Sequence, residues 1–122
     1  MNHVQTQQIT VSSDADLILL RQMLRQCARA MAMAPSQQAR ITAAVSEVVR
    51  ALIHQFSNST VTIHCDDSDA RHALVIECDT EAEAYQRVAR QAAVQTAYSL
   101  VDEVKVQHSP IGCHVAMKIR AG

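Results

Sequence analysis

The segment AAVSEVVRALIHQF, residues 43–56, carries two side chains that could do chemistry, Glu47 and His54. At about 100° per residue around a helix, Glu47, Ala51 and His54 share one flank. An apolar stripe runs beside that flank, formed by Ile41, Val45, Val48, Leu52 and Phe56. A carboxylate there could act as a general base, or it could only support the helix. His54 could accept a phosphoryl group, but a lone helical histidine is more often just half-buried.

The cysteines and histidines do not have the spacing of a metal site. Four cysteines occur without a C-x-x-C pair, and six histidines occur without an H-x-x-x-H helix pattern. Cys65, Cys78 and Cys113 alternate with apolar residues at period two, so we expect reduced core residues rather than redox groups or ligands. The same alternation turns His64 and His114 to the opposite, solvated face. We therefore predict no metal.

Composition excludes several classes of function. The formal charge is -1, the isoelectric point is about 6.6, and only three residues are aromatic. A nucleic-acid partner is therefore not expected, since neither a basic field nor stacking rings are present. The N-terminal residues lack the pattern of a signal peptide, and no run of 18 apolar residues occurs. We expect one domain, 1–122, in the cytoplasm, with no membrane partner.

The order of elements predicts the fold. A strand at 7–13 precedes a helix that begins near Asp14 and Asp16 and ends before Ala34-Pro35-Ser36, with Ser36 as the N-cap of the next helix. Alternating strands follow at 60–65 and 72–79 around the turn DDSDAR, then one continuous helix at 81–100 and a second hairpin. The order β-α-α-β-β-α-β-β predicts a two-layer α+β sandwich, a mixed sheet covered on one face by about three helices.

Two segments of this sequence resemble a known family. They are AAVSEVVRALI, with Ser46, Glu47 and Arg50, and the tail SLVDEVKVQHSPIGCHVAMKI, with Leu100, Asp102, Glu103 and Gly112. With the order of elements, they resemble the GHKL (Bergerat-like) ATPase fold, and more narrowly the anti-sigma-factor serine kinases of bacterial partner-switching systems. The resemblance implies a nucleotide site in which Glu47 orients water and Asp79 reads the adenine amino group.

The departures from the family pattern are at the nucleotide contacts. Ala51 stands where the family has the asparagine that holds Mg²⁺, and an alanine offers no oxygen ligand. Glu81 and Glu83 replace two glycines after Asp79, and the truncated lid region, 80–101, has no glycine to cradle phosphates. We therefore expect neither ATP nor Mg²⁺ as a cofactor. We therefore interpret Glu47 and Asp79 as vestigial residues of a nucleotide site, and we predict no catalytic residue.

A row of arginines suggests that the protein acts by binding a partner rather than by catalysis. Arg21, Arg25 and Arg29 recur every four residues along the first helix, as a solvated face or as a docking strip for an acidic partner. We predict a non-catalytic regulatory protein-binding module. The resemblance implies a STAS-domain protein, a sigma factor or a second copy of the chain as partner. The alternatives are an ATP-dependent serine/threonine-protein kinase of a STAS-domain antagonist and a structural subunit of a larger complex.

Overall fold

The computed structural model describes residues 4–55, 58–66 and 73–121. Five strands and four helices occur in the order β1 (Val4–Val11), α1 (Asp14–Ala30), α2 (Pro35–Ile53), β2 (Ser59–Asp66), β3 (Ala73–Thr80), α3 (Ala82–Val88), α4 (Ala92–Ser99), β4 (Glu103–Ser109) and β5 (Gly112–Arg120). Phe56 and the turn predicted at DDSDAR, apart from Asp66, lie outside the described residues. Across the described part of the chain, no helix is both long and apolar enough to cross a bilayer.

The strands form one sheet with the order β1-β2-β3-β5-β4. Each of its four pairings is antiparallel, so the prediction of a mixed sheet is wrong for the described strands. Two helices join β1 to β2, and β2 runs antiparallel to β1. The crossover from β3 through α3 and α4 does lead to a parallel strand, β4, but β5 inserts between the two.

The helices cover one face of the sheet, as predicted. The inward residues of the strands alternate along the sequence and join the apolar faces of the helices in one buried cluster. The predicted stripes of α1 and α2 are confirmed by burial of Leu17, Leu20, Leu24, Cys27, Met31, Ile41, Val45, Val48 and Leu52. The opposite face of the sheet is open.

Helix α1 begins with a reciprocal cap. Ser13 is extended, and its hydroxyl accepts a hydrogen bond from the backbone N–H of Asp16 at 3.3 Å. The Asp16 carboxylate accepts in turn from the backbone N–H of Ser12 at 3.0 Å, which lowers the pKa of Asp16. The helix start predicted from the acidic residues is therefore confirmed, with two otherwise unpaired N–H groups satisfied.

Helix α2 begins earlier than predicted. Its N-cap is Ala34, with Pro35 in the first turn, so Ser36 lies inside the helix and is not the cap. Proline is favoured at this position because its fixed φ suits the first turn and its missing N–H would have no partner there. The Gln38 side chain donates to the carbonyl of Met33 at 2.8 Å and ties the helix to the preceding loop.

The predicted helix at 81–100 is two helices. The chain breaks between α3 and α4, where Gln91 is extended and the Gln95 amide donates to the carbonyl of Ala89 at 2.5 Å. A continuous helix would place Val94 about 240° around the axis from Val88. Both are fully buried, so the break lets both face the core. No local signal predicts the break, since neither glycine nor proline marks it.

Candidate functional site

Glu47 lies on α2 as predicted, but it meets no second functional group. Its side chain is half-buried, and within the described residues its carboxylate makes no hydrogen bond or ion pair. Ala51, on the same flank, is buried at 8% exposure. His54 ends the helix, 53% exposed, with its ring 3.7 Å from the Asp14 carboxylate. Glu47, Ala51 and His54 therefore lie on α2 as predicted, but they do not form a functional site.

Asp79 lies on the other side of the sheet. Strict alternation along β3 buries Cys78 completely and turns Asp79 to the open face. There its carboxylate is 2.6 Å from Nδ1 of His114, the residue opposite it on β5. Glu47 belongs to the helix layer, so the sheet separates the two carboxylates that the resemblance pairs in one nucleotide site.

Two tyrosines occupy the space between α3, α4 and the sheet. The Tyr85 and Tyr98 hydroxyls are 3.0 Å apart and form a hydrogen bond. Burial raises the pKa of Tyr98 well above its usual range, and the nearby Tyr85, Cys78 and Cys113 add to the rise. The Tyr85 ring also packs edge-on against His108, with ring centroids 6.0 Å apart. Packed side chains therefore fill the region between the lid segment and the sheet.

The acidic residues of the lid segment are exposed. Glu81 is the N-cap of α3, and Glu83 lies in its first turn. Acidic side chains are favourable there because the helix N-terminus carries a partial positive charge. A cleft of about 680 Å³ runs beside α3 and His108. Its charged lining residues are Glu83, Arg87 and Arg90, and neither Glu47 nor Asp79 lines it.

The cysteines are buried thiols, as predicted. Cys27, Cys65, Cys78 and Cys113 are all free and all buried. Desolvation raises the pKa of Cys78 to about 12, with a further rise from Asp79 and Glu77, and it also raises the pKa of Cys113. A protonated thiol is a poor nucleophile and a poor metal ligand. Among the described residues, no group of three or more histidines, cysteines or acidic residues could hold a metal ion.

The arginine row of α1 divides into two parts. Arg21 is half-buried, and its Nε donates to the hydroxyl of Ser46 at 3.2 Å. Ser46 itself is 4% exposed, so Arg21 satisfies a buried hydroxyl of α2. Arg25 and Arg29 are exposed and make no ion pair with any side chain in the described ranges. Only these two are available to a partner.

Two exposed apolar side chains accompany the free arginines. Ile18 is 56% exposed and Leu19 is 51% exposed, both on α1. At 100° per residue, Ile18, Arg25 and Arg29 lie within about 40° of one another, with Leu19 about 100° from Ile18. We call these four residues the α1 strip. It combines apolar area with two unpaired cations, of which only the cations were predicted from the sequence.

The open face of the sheet carries a polar chain that the sequence analysis missed. His64 Nδ1 is 3.1 Å from the Thr6 hydroxyl, and its Nε2 is 2.9 Å from Glu77. The other oxygen of Glu77 is 3.6 Å from Nε2 of His114, which contacts Asp79. His64 and His114 do lie on the predicted face, but at 29% and 33% side-chain exposure they are bonded rather than freely solvated.

Comparisons with known proteins do not identify this chain. No model of a known protein family and no curated protein matches it.

Proposed function

We propose that this protein is a non-catalytic, protein-binding regulatory module of the GHKL fold, acting in the bacterial cytoplasm in a partner-switching system. Its partner would be a STAS-domain protein, a sigma factor or a second copy of the chain. One observation carries the loss of catalysis: Glu47 and Asp79, the two matches to the family's nucleotide site, lie on opposite sides of the sheet.

The filling of the lid region supports the same proposal. A nucleotide needs a cleft between the lid and the sheet, and here Tyr85 of α3 and Tyr98 of α4 join hydroxyls within the lid segment. Val94 of α4 is completely buried, and Ala97 is 3% exposed, so α4 packs into the core. Admitting a triphosphate would expose this apolar surface, and the lid segment has no glycine loop to bind the phosphates.

The α1 strip supports protein binding. Exposed apolar side chains beside unpaired arginines are the composition of an interface patch, in which the apolar groups supply desolvation energy and the cations select an acidic partner. The STAS-domain and sigma-factor identities rest on the family resemblance. The strip itself requires only a partner surface that offers carboxylates around an apolar contact.

Calorimetry with Mg-ATP at millimolar concentration tests the loss of nucleotide binding. We expect no saturable heat, because the metal ligand and the phosphate cradle are both absent. A dissociation constant in the micromolar range, about -8 kcal/mol of binding free energy, would contradict the proposal and favour the kinase alternative. The control is Asp79→Asn: if heat is seen and this variant loses it, nucleotide binds at the family's site, because Asp79 is the residue that the resemblance assigns to the adenine amino group.

A further inference from the structure

His114 differs from His64 in what faces its two ring nitrogens. In His64, one nitrogen faces the Thr6 hydroxyl and the other faces Glu77. A neutral ring satisfies both contacts, because Nε2–H donates to Glu77 and Nδ1 accepts from the hydroxyl. In His114, both nitrogens face carboxylates, Asp79 at 2.6 Å and Glu77 at 3.6 Å.

Only the protonated ring suits the surroundings of His114. A neutral ring with its hydrogen on Nδ1 donates to Asp79 and leaves the Nε2 lone pair facing the Glu77 carboxylate, which is repulsive. The imidazolium offers an N–H to each carboxylate. Glu77 and Asp79 lie two residues apart on the same face of β3, so the cation also offsets their mutual repulsion.

We infer that His114 is a proton-operated clamp on the open sheet face: as an imidazolium it bridges Glu77 and Asp79, and as an imidazole it releases Glu77. The clamp crosses from β5 to β3, and His64 and Thr6 extend its hydrogen-bonded chain to β2 and β1. Loss of the proton leaves two carboxylates together at the centre of the face, and the cleft beside the β4–β5 turn, which Asp79 and His114 also line, becomes more negative. The inference is independent of the proposed function.

The other charged side chains near the clamp do not take the place of the His114 cation. On the same face, strands β2 to β5 carry His64, Glu77, Asp79, Glu103, Lys105, Lys118 and Arg120, and His108 lines the adjoining cleft. Lys118 and Arg120 are engaged with Glu103 at 3.9 Å and 3.1 Å. Lys105 is opposite Ala116, in the same cross-strand row as Glu77 but separated from it by β5. The described side chains of β1 on this face are uncharged, and the helices bury the other face.

The direction of the shift in the pKa of His114 agrees with this geometry. The hydrogen bond to Asp79 raises the pKa of His114 above 6.5, with further rises from the Asp79 and Glu77 charges, against a smaller opposing effect of burial. A raised pKa in the folded state stabilises the fold below the unfolded value, and that stabilisation is lost as the pH rises through the folded value. The clamp is therefore closed below the ordinary histidine pKa and opens as the pH rises through the raised pKa of His114.

The first test is an NMR titration of the histidine rings in the intact protein. We expect the His114 midpoint above 6.5, and we expect both Asp79→Asn and Glu77→Gln to lower it. These variants keep the side-chain shape, so they are informative even if a His114 variant folds poorly. A His114 midpoint at or below the ordinary value, or one that neither variant lowers, would overturn the inference.

The second test is thermal unfolding from about pH 5.5 to about pH 9. We expect the Tm of the wild type to fall as the pH rises through the His114 midpoint, and His114→Gln to remove that fall. His64→Gln is the matched control, because it removes a histidine from the same Glu77 carboxylate and should retain the fall. If His64→Gln flattens the profile and His114→Gln does not, the clamp is assigned to the wrong histidine.

Discussion

Burial decides the chemistry of single side chains in this molecule. Cys78 is completely buried, and its pKa of about 12 leaves the thiol protonated at any physiological pH. Tyr98 is likewise held neutral, and its hydroxyl is satisfied by Tyr85 at 3.0 Å. Both groups stay neutral near pH 7, so neither acts as a base or nucleophile there.

Thiol labelling tests whether the cysteines are buried, protonated thiols. With a pKa of about 12 instead of 9.0, Cys78 carries about a thousandfold less thiolate than a free cysteine near neutral pH. We expect the native protein to react slowly with a thiol reagent at all four cysteines, and the unfolded protein to react quickly. Mass spectrometry after timed quenching measures each site, and rapid labelling of Cys65, Cys78 or Cys113 in the native state would show that the core assignment is wrong.

Alternation in the sequence predicted which face of the sheet a residue occupies, but it did not predict which residues that residue contacts. Period-two alternation places Cys78 inside and Asp79 outside, and the structure confirms both. The clamp was not foreseen, because it depends on which strands pair. His114 meets Asp79 only because β5 inserts beside β3, and no local pattern encodes a register between residues 35 positions apart.

At the scale of elements, the end of α1 carries a strained residue. Ala32 has a φ of 57°, the left-handed conformation that glycine usually adopts after a helix. Its N–H donates to the carbonyl of Arg29, and the N–H of Met33 donates to that of Ala28, the two bonds of a Schellman motif. The hydrogen bonds and the burial of Met33 at 4% exposure hold the alanine in place.

Ala32→Gly should therefore stabilise the protein. The left-handed conformation costs alanine about 1–2 kcal/mol, and glycine loses about 0.5–1 kcal/mol of that gain through its more flexible unfolded chain. We expect a net increase of about 0.5–1 kcal/mol in the free energy of unfolding, measured by urea denaturation. Ala43→Gly, at an exposed position inside α2, is the control and should lose about 1 kcal/mol. A loss in Ala32→Gly as well would mean that the backbone is unstrained.

Element boundaries were predictable where a local signal exists. Asp14 and Asp16 marked the start of α1, and the break at Ala34-Pro35-Ser36 marked the boundary between α1 and α2, although Ala34 rather than Ser36 is the second cap. The break between α3 and α4 has no such signal. It follows from the need to bury both Val88 and Val94, and that need arises only when α4 packs on α2. Tertiary packing here overrides the helix propensity of the alanine-rich segment.

At the scale of the whole molecule, the two layers give the protein two unlike surfaces. The open sheet face is polar, and its charges are largely paired to one another across strands. The helix side carries the α1 strip, where apolar and cationic groups have no partner among the described residues. A binding surface for another protein is therefore expected on the helix side, while the sheet face responds to protons.

Reversal of the free arginines tests that assignment. Arg25→Glu with Arg29→Glu should change stability by only about 0.5 kcal/mol or less, because both side chains are exposed. Arg21 is left intact, since its bond to Ser46 serves the fold. We expect the reversed protein to lose partners that the wild type captures from native lysate, chiefly by slower association, and the wild-type capture to weaken with salt.

The control for this reversal is a second pair with the same charge change. Arg87→Glu with Arg90→Glu alters two exposed arginines beside α3, outside the α1 strip, so net charge is matched and only position differs. Thermal unfolding of both variants establishes that they fold. If the two reversals lower capture equally, the partner responds to overall charge; if neither lowers it, α1 presents a solvated face. Loss confined to the α1 variant, and deepened by Ile18→Ser, would assign the interface to the strip, because only a contact there needs both its cations and its apolar side chain.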